Sequence, residues 1–322
     1  MKHIYVINPA AGRGDSTAML TRELTEAYAD APDEKEIYHT AGVGDAVRYV
    51  RERCLTAQGE PLRFYACGGD GTLGEVVNGA IGYPAAEVGM IPVGTGNDFM
   101  RNFTEQERFR MISAQRNGTG MVMDLLRCND VYCVNMINIG FDCEVVAKTA
   151  EIKRKPYVPG GMSYITSLLI TLIRKPGVSL RLWVDGEEQP EEKRLLCAVG
   201  NGAFCGGGFR SLPRADLKDG VMDACLVKNI SRTRFLRLVG DYKAGTHLKP
   251  ETEDIIEYRQ CRQISMRFSA NQNVCIDGEV SGMDHCDITV APSAIRFVVP
   301  EGCRPLVNGE EVAEEPAATG RA

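Results

Sequence analysis

A short stretch near residue 70 combines a flexible backbone with one acidic side chain. Gly68, Gly69 and Gly71 surround Asp70, between an apolar run that predicts a buried strand and a pattern that predicts a helix. Glycine lets a ligand approach the backbone closely, and a helix N-terminus offers N–H donors and the positive end of its dipole. This arrangement suits a phosphate group. The carboxylate of Asp70 would repel phosphate unless it binds a metal, orients a donor or holds the turn in shape.

Two other interpretations of these glycines are open. A tight connection from strand to helix can need glycine without any ligand, and the spacing of Gly69, Gly71 and Gly74 also fits a dinucleotide fingerprint. That fingerprint needs an acidic residue about 20 positions further on, whereas the next strand ends in a second glycine-rich turn at 92–99. The chain has no Gly-x-x-x-x-Gly-Lys-Ser/Thr stretch, so a Walker-type phosphate loop is excluded.

Two further turns carry residues that could act on a phosphate. The first contains Gly12 and Arg13, which could offer N–H groups and a positive charge, with a plain loop as the alternative. In the second, Asp277 and Glu279 flank one glycine after a predicted strand, so the turn can bring both carboxylates near one point. An exposed hairpin turn is the alternative there. No histidine lies in these motifs, so a carboxylate is the natural proton acceptor.

Strands and helices alternate over the first 100 residues. The strands are predicted at 3–7, 35–39, 62–67 and 88–91. This alternation predicts a parallel sheet that is covered by helices on both faces. Ligands on such sheets bind beyond the carboxyl ends of the strands. Because the turns at Asn8, Thr40, Gly68 and Gly94 all follow strand ends, we expect one nucleotide among them.

The pattern changes near residue 120. Short alternating runs predict a mostly antiparallel second domain. They lie at 122–125, 132–139, 178–184, 195–199, 222–227, 264–268 and 295–298. Two helices interrupt them, of which 231–242 is amphipathic and predicts a helix that covers a sheet. The other, 163–173, is apolar with basic ends and predicts either a buried packing helix or a segment at a lipid groove or anionic membrane.

Composition excludes several classes of protein. The 322 residues carry a net charge of −6, with 44% hydrophobic and 25% charged residues, which is typical of a globular protein and not of a general nucleic-acid binder. The twelve cysteines are scattered without a Cys-x-x-Cys, so we expect buried thiols in a reducing cytosol. We expect no signal peptide and no membrane span, and therefore a cytoplasmic protein that reaches any lipid from the inner membrane surface.

Three motifs share an order and spacing that point to one family. They are Asn8-Pro9-Ala10-Ala11-Gly12, Gly68-Gly69-Asp70-Gly71-Thr72 and Pro92-Val93-Gly94-Thr95-Gly96-Asn97-Asp98-Phe99. Together they resemble the catalytic domain of diacylglycerol kinases, and more closely the soluble bacterial lipid kinases that share this domain with sphingosine and ceramide kinases. The resemblance covers nearly the whole chain. Gly74 and Ala11 depart from it, because the family commonly has Asn and Ser at these positions.

The resemblance implies a two-domain fold. The N-terminal domain is expected to be α/β, with a parallel sheet like that of NAD kinase and phosphofructokinase. The C-terminal domain is expected to be a mostly antiparallel β-sandwich. Residues 1–124 together with 300–322 would form the nucleotide-binding domain, and residues 125–299 the lipid-substrate domain. The acidic segment 310–322 is expected to be a frayed tail.

The resemblance also implies which residues act. Glu279 corresponds to the family's proton acceptor, with Asp277 as its alternative or as the partner that orients it, and Asp70 completes the expected catalytic set. We expect the cleft to close before Glu279 can face the turn at 68–72. The expected ATP-binding residues are Asn8, Pro9, Gly12, Arg13, Thr40, Gly68, Gly69, Asp70, Gly71, Thr72, Leu73, Gly74, Gly94, Thr95, Asn97 and Asp98.

The implied reaction is phosphorylation of a lipid hydroxyl by ATP, with diacylglycerol as the expected acceptor and phosphatidic acid as the product. One Mg²⁺ would accompany ATP, with Asp98 and Asp124 as indirect links to it. A second, structural Mg²⁺ is expected at Asp216, Asp219 and Val221, with an Asp-Gly turn without metal as the alternative. A kinase of a soluble acceptor and a catalytically silent nucleotide-binding regulator stay open. The expected partner is lipid at a membrane surface, without nucleic acid, and a homodimer stays open.

Overall fold

Four parallel strands form the first part of the sheet. The computed structural model describes residues 1–12, 16–30, 34–93, 97–153, 171 and 177–307. The four strands are β1 (Lys2–Ile7), β2 (Lys35–His39), β3 (Leu62–Gly68) and β4 (Ala86–Pro92), in the order β4-β3-β1-β2. Every residue of β3 and β4 is buried, because strands of a doubly covered parallel sheet have no solvent face. The predicted parallel sheet is confirmed.

Helices cover both faces of these strands. They are α1 (Ser16–Ala27), α2 (Asp45–Thr56) and α3 (Asp70–Ala80). On one face, Phe64 of β3 packs in a core with Val50 of α2 and Val76 of α3. On the other face, the next residue of β3, Tyr65, packs in a core with Leu24 of α1. The alternation of side chains along a strand thus places α1 opposite α2 and α3.

The helix predicted after β4 is shorter than the sequence pattern suggests. The chain instead forms two 3₁₀ helices, Phe99–Asn102 and Gln106–Arg110, and the short α4 (Ile112–Arg116). Asn102 explains the interruption, because its amide donates to the Phe99 carbonyl at 2.8 Å and accepts from the Ala203 N–H at 2.8 Å. A side chain that bonds to the backbone in this way competes with helix propagation.

In the part of the chain that the structure describes, ten strands and two helices follow. They are β5 (Thr119–Cys128), β6 (Val131–Cys133), β7 (Met136–Gly140), α5 (Phe141–Lys153), β8 (Val178–Val184), β9 (Glu187–Glu188), β10 (Glu192–Gly200), β11 (Met222–Lys228), α6 (Arg232–Ala244), β12 (Ile256–Cys261), β13 (Gln263–Ile276) and β14 (Glu279–Val299), with a 3₁₀ turn at Pro250–Thr252. The predicted strands and the helix near 231–242 are confirmed. The sequence patterns did not predict β9, β12 or α5, and they predicted only the end of β14. Helix α5 begins directly after Gly140, whose φ of +85° turns the chain out of β7.

The second part of the sheet is antiparallel and folds back on itself. Strand β8 pairs with both β10 and β13, so the strands enclose an apolar core between them. A separate core lies between α6 and the outer face of β10 and β11, where Phe235 and Leu238 pack. This arrangement matches the expected antiparallel β-sandwich.

The long strand β14 joins the two parts of the molecule. Near its start it pairs with β13, and near its end Arg296 and Phe297 pair in parallel with Glu87 and Val88 of β4. The residues after it return to the first part, where the Leu306 N–H donates to the Asn102 carbonyl at 2.8 Å. The division into 1–124 with 300–322 and 125–299 stays a prediction.

Two further expectations concern the whole chain. All twelve cysteines are buried free thiols, as expected for scattered apolar cysteines. Within the described residues, none of the helices has the length and apolar character needed to cross a membrane. The predicted apolar helix 163–173 and the acidic tail 310–322 lie outside the described residues, apart from the single position 171.

Candidate active site

The predicted loops meet at the carboxyl edge of the parallel strands. Backbone hydrogen bonds continue the strand ladder beyond the strand ends: Thr40 N–H to Ile7 O at 2.9 Å, Asn8 N–H to Cys67 O at 3.0 Å, and Val93 N–H to Gly68 O at 3.0 Å. The first loop, the Thr40 turn and both glycine turns are therefore neighbours, as parallel topology requires. Arg13, Gly94 and Thr95 lie outside the described residues.

Asp70 holds the two glycine turns together. It is the first residue of α3, and its carboxylate accepts the backbone N–H of Asp98 at 2.8 Å and that of Phe99 at 3.3 Å. Asp70 is half-buried, because these two bonds draw its carboxylate toward the second glycine turn. Burial raises the pKa of Asp70 to about 7, and the nearby charges of Asp98 and Asp277 also raise it.

Asn8 connects the first loop to the start of α3. Its amide donates to the Thr72 hydroxyl oxygen at 3.1 Å, and its own side-chain oxygen accepts the Ala10 N–H at 3.0 Å. Gly68 must be glycine for this geometry, since a Cβ there would lie 2.3 Å from the Thr72 hydroxyl oxygen. Gly12 has φ of +84°, which favours glycine. The first loop and the α3 N-terminus thus form one hydrogen-bonded unit.

Two of the expected ATP-binding residues, Leu73 and Gly74, lie against other parts of the protein. Leu73 is fully buried in the core, and its N–H donates to the Gly69 carbonyl at 3.1 Å. Its side chain and its N–H are thus engaged within the protein, and its assignment as an ATP contact stays a prediction. Gly74 faces Asp277, whose Oδ2 would lie 3.8 Å from a Cβ at that position. The departure at Gly74 therefore leaves room on α3 next to the acidic turn.

Asp98 builds a second wall of the cleft. One carboxylate oxygen accepts the Gly207 N–H at 2.8 Å, and the other accepts Nε of Arg101 at 3.1 Å. Asn97 precedes Asp98 and is half-buried. The glycine run 206–208, in which every residue has positive φ, is thereby held against the second glycine turn. This contact joins the two halves of the chain at the site.

Asp277 is a buried anchor. Its carboxylate accepts the N–H groups of Val134 at 2.6 Å, Asn135 at 2.9 Å and Met136 at 3.1 Å, and the thiol of Cys133 at 3.2 Å. Burial raises the pKa of this carboxyl, while the backbone N–H groups counteract the rise. A carboxylate with its oxygens so engaged is poorly placed to take a proton from an acceptor. Asp277 is therefore suited to orienting the turn.

Glu279 is exposed and lies against the first turn of α3. Its Oε1 is 2.9 Å from the position that a Cβ would take at Gly71. The turn and the α3 N-terminus face each other in this structure, and the expected closure of the cleft stays a prediction. The site thus places a carboxylate opposite helical N–H donors.

The loop at 216–221 is the expected structural metal site. Asp216 and Asp219 each accept the N–H two residues ahead, at 3.0 and 3.1 Å, which are turn-forming contacts. Burial and then the charges of Asp216 and Asp124 raise the pKa of Asp219. Among the described residues, no group of three or more His, Cys, Asp or Glu side chains is arranged to hold a metal ion. The site at Asp216, Asp219 and Val221 stays a prediction.

Asp124 of β5 contacts this loop through its carboxylate. Its two oxygens accept the Gly220 N–H at 2.7 Å and the Ser293 N–H at 2.6 Å. Each carboxylate oxygen thus accepts one backbone N–H group, and the expected indirect link from Asp124 to a nucleotide-bound Mg²⁺ stays a prediction. Asp124 ties the loop to the bulge of β14.

Sequence reasoning missed two positioning residues. Glu75, on α3, accepts the N–H groups of Gly44 at 2.9 Å and Ala46 at 3.2 Å and so fixes the start of α2. Asn78 donates to the Tyr132 carbonyl at 2.8 Å and accepts the Tyr132 N–H at 3.0 Å. The helical spacing of Glu75 and Asn78 after the glycine turn was visible, but their long-range partners were not.

Comparison with known proteins agrees with this architecture. The family model of the diacylglycerol kinase catalytic domain matches residues 2–128, and that of the YegS C-terminal NAD kinase beta sandwich-like domain matches residues 135–299. The chain belongs to the lipid kinase family that carries a diacylglycerol kinase catalytic domain. The enzyme class is therefore that of a lipid kinase, diacylglycerol kinase-like.

Relatives of this lipid kinase cover most of its length. A protein of Alcanivorax borkumensis named "Probable lipid kinase YegS-like" is 30% identical over 270 residues, which are 82% of this chain and 86% of that protein. A protein of Bacillus subtilis named diacylglycerol kinase is 28% identical over 295 residues, 88% of this chain and 91% of that protein. A crystal structure described as a diacylglycerol kinase of Bacillus anthracis has a TM-score of 0.68 at 22% identity and covers 92% of this chain and 96% of its own. At that identity the structure shows the fold alone.

Proposed function

We propose that this lipid kinase transfers the γ-phosphate of ATP to the hydroxyl of diacylglycerol and gives phosphatidic acid. The observation that carries the proposal is the contact between Glu279 and the first turn of α3 at Gly71. A proton acceptor and a phosphate cradle of backbone N–H groups lie opposite each other across one cleft. Phosphoryl transfer needs this pairing, because the nucleophile must approach the phosphorus in line with the leaving group.

Glu279 serves as the general base. A hydroxyl is almost fully protonated at neutral pH, so it attacks well only when its proton is removed during the attack. The hydroxyl proton passes to the Glu279 carboxylate as the new O–P bond forms, and the bond from the γ-phosphorus to the bridging oxygen breaks to leave ADP. Asp277, held by four hydrogen bonds, fixes the turn that carries Glu279.

The nucleotide lies along the carboxyl edge of the parallel strands. The Asn8 loop, the Thr40 turn and the α3 N-terminus are joined there by hydrogen bonds, with Asp70 fixing the second glycine turn. When bound with ATP, Mg²⁺ neutralises charge that develops on the transferred phosphate. The Asp70 and Asp98 carboxylates accept N–H groups of the protein, so they would hold this cation indirectly, through its water ligands.

The lipid reaches the cleft from a membrane surface, on the side formed by the second part of the chain. In this proposal the contact with the membrane is peripheral and transient. The protein would act on the cytoplasmic leaflet, where ATP is available.

The test is a substrate panel with the purified protein. Transfer of radioactive γ-phosphate from ATP is measured with diacylglycerol, a sphingoid base and ceramide, each dispersed in mixed micelles, and with NAD as a soluble acceptor. The proposal expects transfer to diacylglycerol at the highest kcat/KM and loss of activity when EDTA removes Mg²⁺. Preference for another lipid would correct the acceptor, and preference for NAD would contradict the proposed function. ATP binding without transfer to any acceptor would favour the regulatory alternative.

A further inference from the structure

The cleft collects negative charge where phosphate groups must bind. The Asp70 carboxylate accepts the N–H group of Asp98, itself an acidic residue, and Glu279 approaches the same helix N-terminus. Phosphates that approach these carboxylates are repelled unless cations balance the charge. Mg²⁺ supplies part of that balance in phosphoryl transfer, and arginine commonly supplies the rest.

Arg101 is a cation at the edge of this carboxylate cluster. It lies in the 3₁₀ helix Phe99–Asn102, directly after the turn whose N–H groups bind Asp70. Its Nε donates to Asp98 at 3.1 Å, and its side chain is 42% exposed. Arg101 is thus tethered at one end and open to solvent at the other.

The glycine turn at 206–208 packs closely against the guanidinium of Arg101. A Cβ at Gly208 would lie 3.2 Å from Nη1 and 3.3 Å from Cζ of Arg101. Gly208 has φ of +102°, a conformation that side chains rarely adopt, so the close approach depends on glycine. The Asp98 carboxylate that orients Arg101 also holds the Gly207 N–H at 2.8 Å. The guanidinium plane is therefore fixed by contacts on two sides.

The two Nη atoms remain available for a ligand. Among the described contacts, Asp98 engages Nε alone, and neither Nη atom has a hydrogen-bond partner in this part of the chain. A guanidinium held through Nε presents its Nη pair as a fork that matches two oxygens of a phosphate. Lysine lacks this geometry, because its ammonium group is a point charge.

We propose that Arg101 binds the phosphate group that is transferred, as the γ-phosphate of the nucleotide or as the phosphate of the lipid product. This inference rests on the proposed function and adds a residue to it. Both sources present the same chemistry, a terminal phosphate with two or more charged oxygens. If the ligand is the γ-phosphate of the nucleotide, Arg101 should increase the affinity for ATP but not for ADP, which lacks that group.

The test compares Arg101→Gln with wild type in calorimetric binding of ADP and of a non-hydrolysable ATP analogue, both with Mg²⁺. A lost charge-assisted hydrogen bond should lower the affinity for the analogue by about tenfold or more. Affinity for ADP should change by less than about twofold if Arg101 contacts only the terminal phosphate. Arg101→Lys should restore part of the loss, since it keeps the charge without the fork. Arg110→Gln, an exposed arginine in the next 3₁₀ helix, is the matched control.

A separate measurement tests whether Arg101 binds the phosphate of the lipid product. If Arg101 binds the phosphorylated lipid, Arg101→Gln should raise the inhibition constant of phosphatidic acid while both nucleotide affinities stay constant. Unchanged affinity for the ATP analogue together with unchanged product inhibition would overturn the inference. Equal losses for ADP and the analogue would also overturn it, because they would show a structural role at the Asp98 contact.

Two controls separate this inference from the proposed function. Melting temperatures show whether Arg101→Gln folds, and if it does not, the same comparison is made with Arg101→Lys, which keeps the charge next to Asp98. If wild type binds no ATP analogue and transfers no phosphate, the proposed function is wrong, and so is the phosphate-binding role of Arg101. If wild type is active and Arg101→Gln matches it in every binding measurement, only the assignment of Arg101 fails.

Discussion

The tripeptide Asp-Gly-Glu occurs twice with almost the same backbone conformation. Asp277 and Gly278 have φ of +46° and +93°, and Asp185 and Gly186 have φ of +48° and +86°. The turn at 185–187 is an exposed hairpin, in which Asp185 accepts two backbone N–H groups at 2.9 Å. The turn at 277–279 faces α3, and its Glu279 reaches the N-terminus of that helix. At the residue scale, the surroundings of the turn decide its chemistry.

Asp70→Asn tests the half-buried carboxyl at the centre of the site. Burial raises the pKa of Asp70 from 3.8 to about 7, so the folded protein binds this proton more tightly than the unfolded chain does. Between these two pH values the stability contributed by Asp70 therefore falls as pH rises. We expect the melting temperature of wild type, relative to Asp70→Asn, to decline from about pH 4 to about pH 7.

Calorimetric melting across this pH range measures the difference between the two proteins without nucleotide. Asp130→Asn, whose side chain is 97% exposed, serves as the control and should show no such trend. A difference between wild type and Asp70→Asn that stays constant with pH would contradict the raised pKa.

Helix α3 is the element around which the site is built. Its N-terminal turn packs against the Asn8 loop through Thr72, and its later turns hold α2 through Glu75 and β6 through Asn78. Gly71 and Gly74 are three residues apart, so they lie on one face of the helix and both face the acidic turn of β14. The small residues allow the turn to approach.

Gly71→Ala and Gly74→Ala form a matched pair. A Cβ at Gly71 would meet Glu279 at 2.9 Å and displace its carboxylate, whereas a Cβ at Gly74 makes only an ordinary contact at 3.8 Å. Alanine in a helix is more stable than glycine by up to about 1 kcal/mol, so neither change should lower the melting temperature. We expect kcat to fall about 10- to 100-fold for Gly71→Ala, because a displacement near 1 Å misaligns the reacting groups.

Steady-state lipid phosphorylation and thermal melting measure this pair. Gly74→Ala should keep kcat within about threefold of wild type, since its Cβ has space. Equal activity of the two variants would show that the contact between Glu279 and Gly71 has no part in the reaction.

The whole molecule depends on contacts between its two parts. Strand β14 spans both, and Asp124 of β5 holds the 216–221 loop to the β14 bulge through Gly220 and Ser293. Burial raises the pKa of Asp219, and the nearby charges of Asp216 and Asp124 raise it further. A divalent cation there would relieve the repulsion between these charges and stabilise the junction.

Asp219→Ala tests this expected Mg²⁺ site. Mg²⁺ that binds the folded protein raises its melting temperature in proportion to the logarithm of its concentration above Kd. We expect excess Mg²⁺ to stabilise wild type and Asp130→Ala, and to stabilise Asp219→Ala less. Titrations without nucleotide isolate this site from the active site, and equal shifts in all three proteins would count against a metal at Asp219.

Much of the fold could be predicted, because the alternation of apolar runs and glycine turns specifies a parallel sheet whose loops share one edge. The joined positions of Asn8, Thr40 and Gly68 follow from that topology. The burial of Asp70 and the direction of Glu279 did not follow, because both depend on partners far along the chain. The two Asp-Gly-Glu turns show the limit, since their local sequence and backbone agree while their surroundings differ.

The proton transfer to Glu279 is tested most directly by single-turnover phosphoryl transfer to dispersed diacylglycerol, measured beside ATP binding by calorimetry. Glu279→Gln keeps the size of the side chain and removes its basicity, so the rate should fall about 10²- to 10⁴-fold while ATP affinity stays nearly unchanged. Glu187→Gln makes the same change in the second, exposed Asp-Gly-Glu turn and should transfer phosphate at the wild-type rate. Near-normal transfer by Glu279→Gln would remove Glu279 as the base and contradict the mechanism.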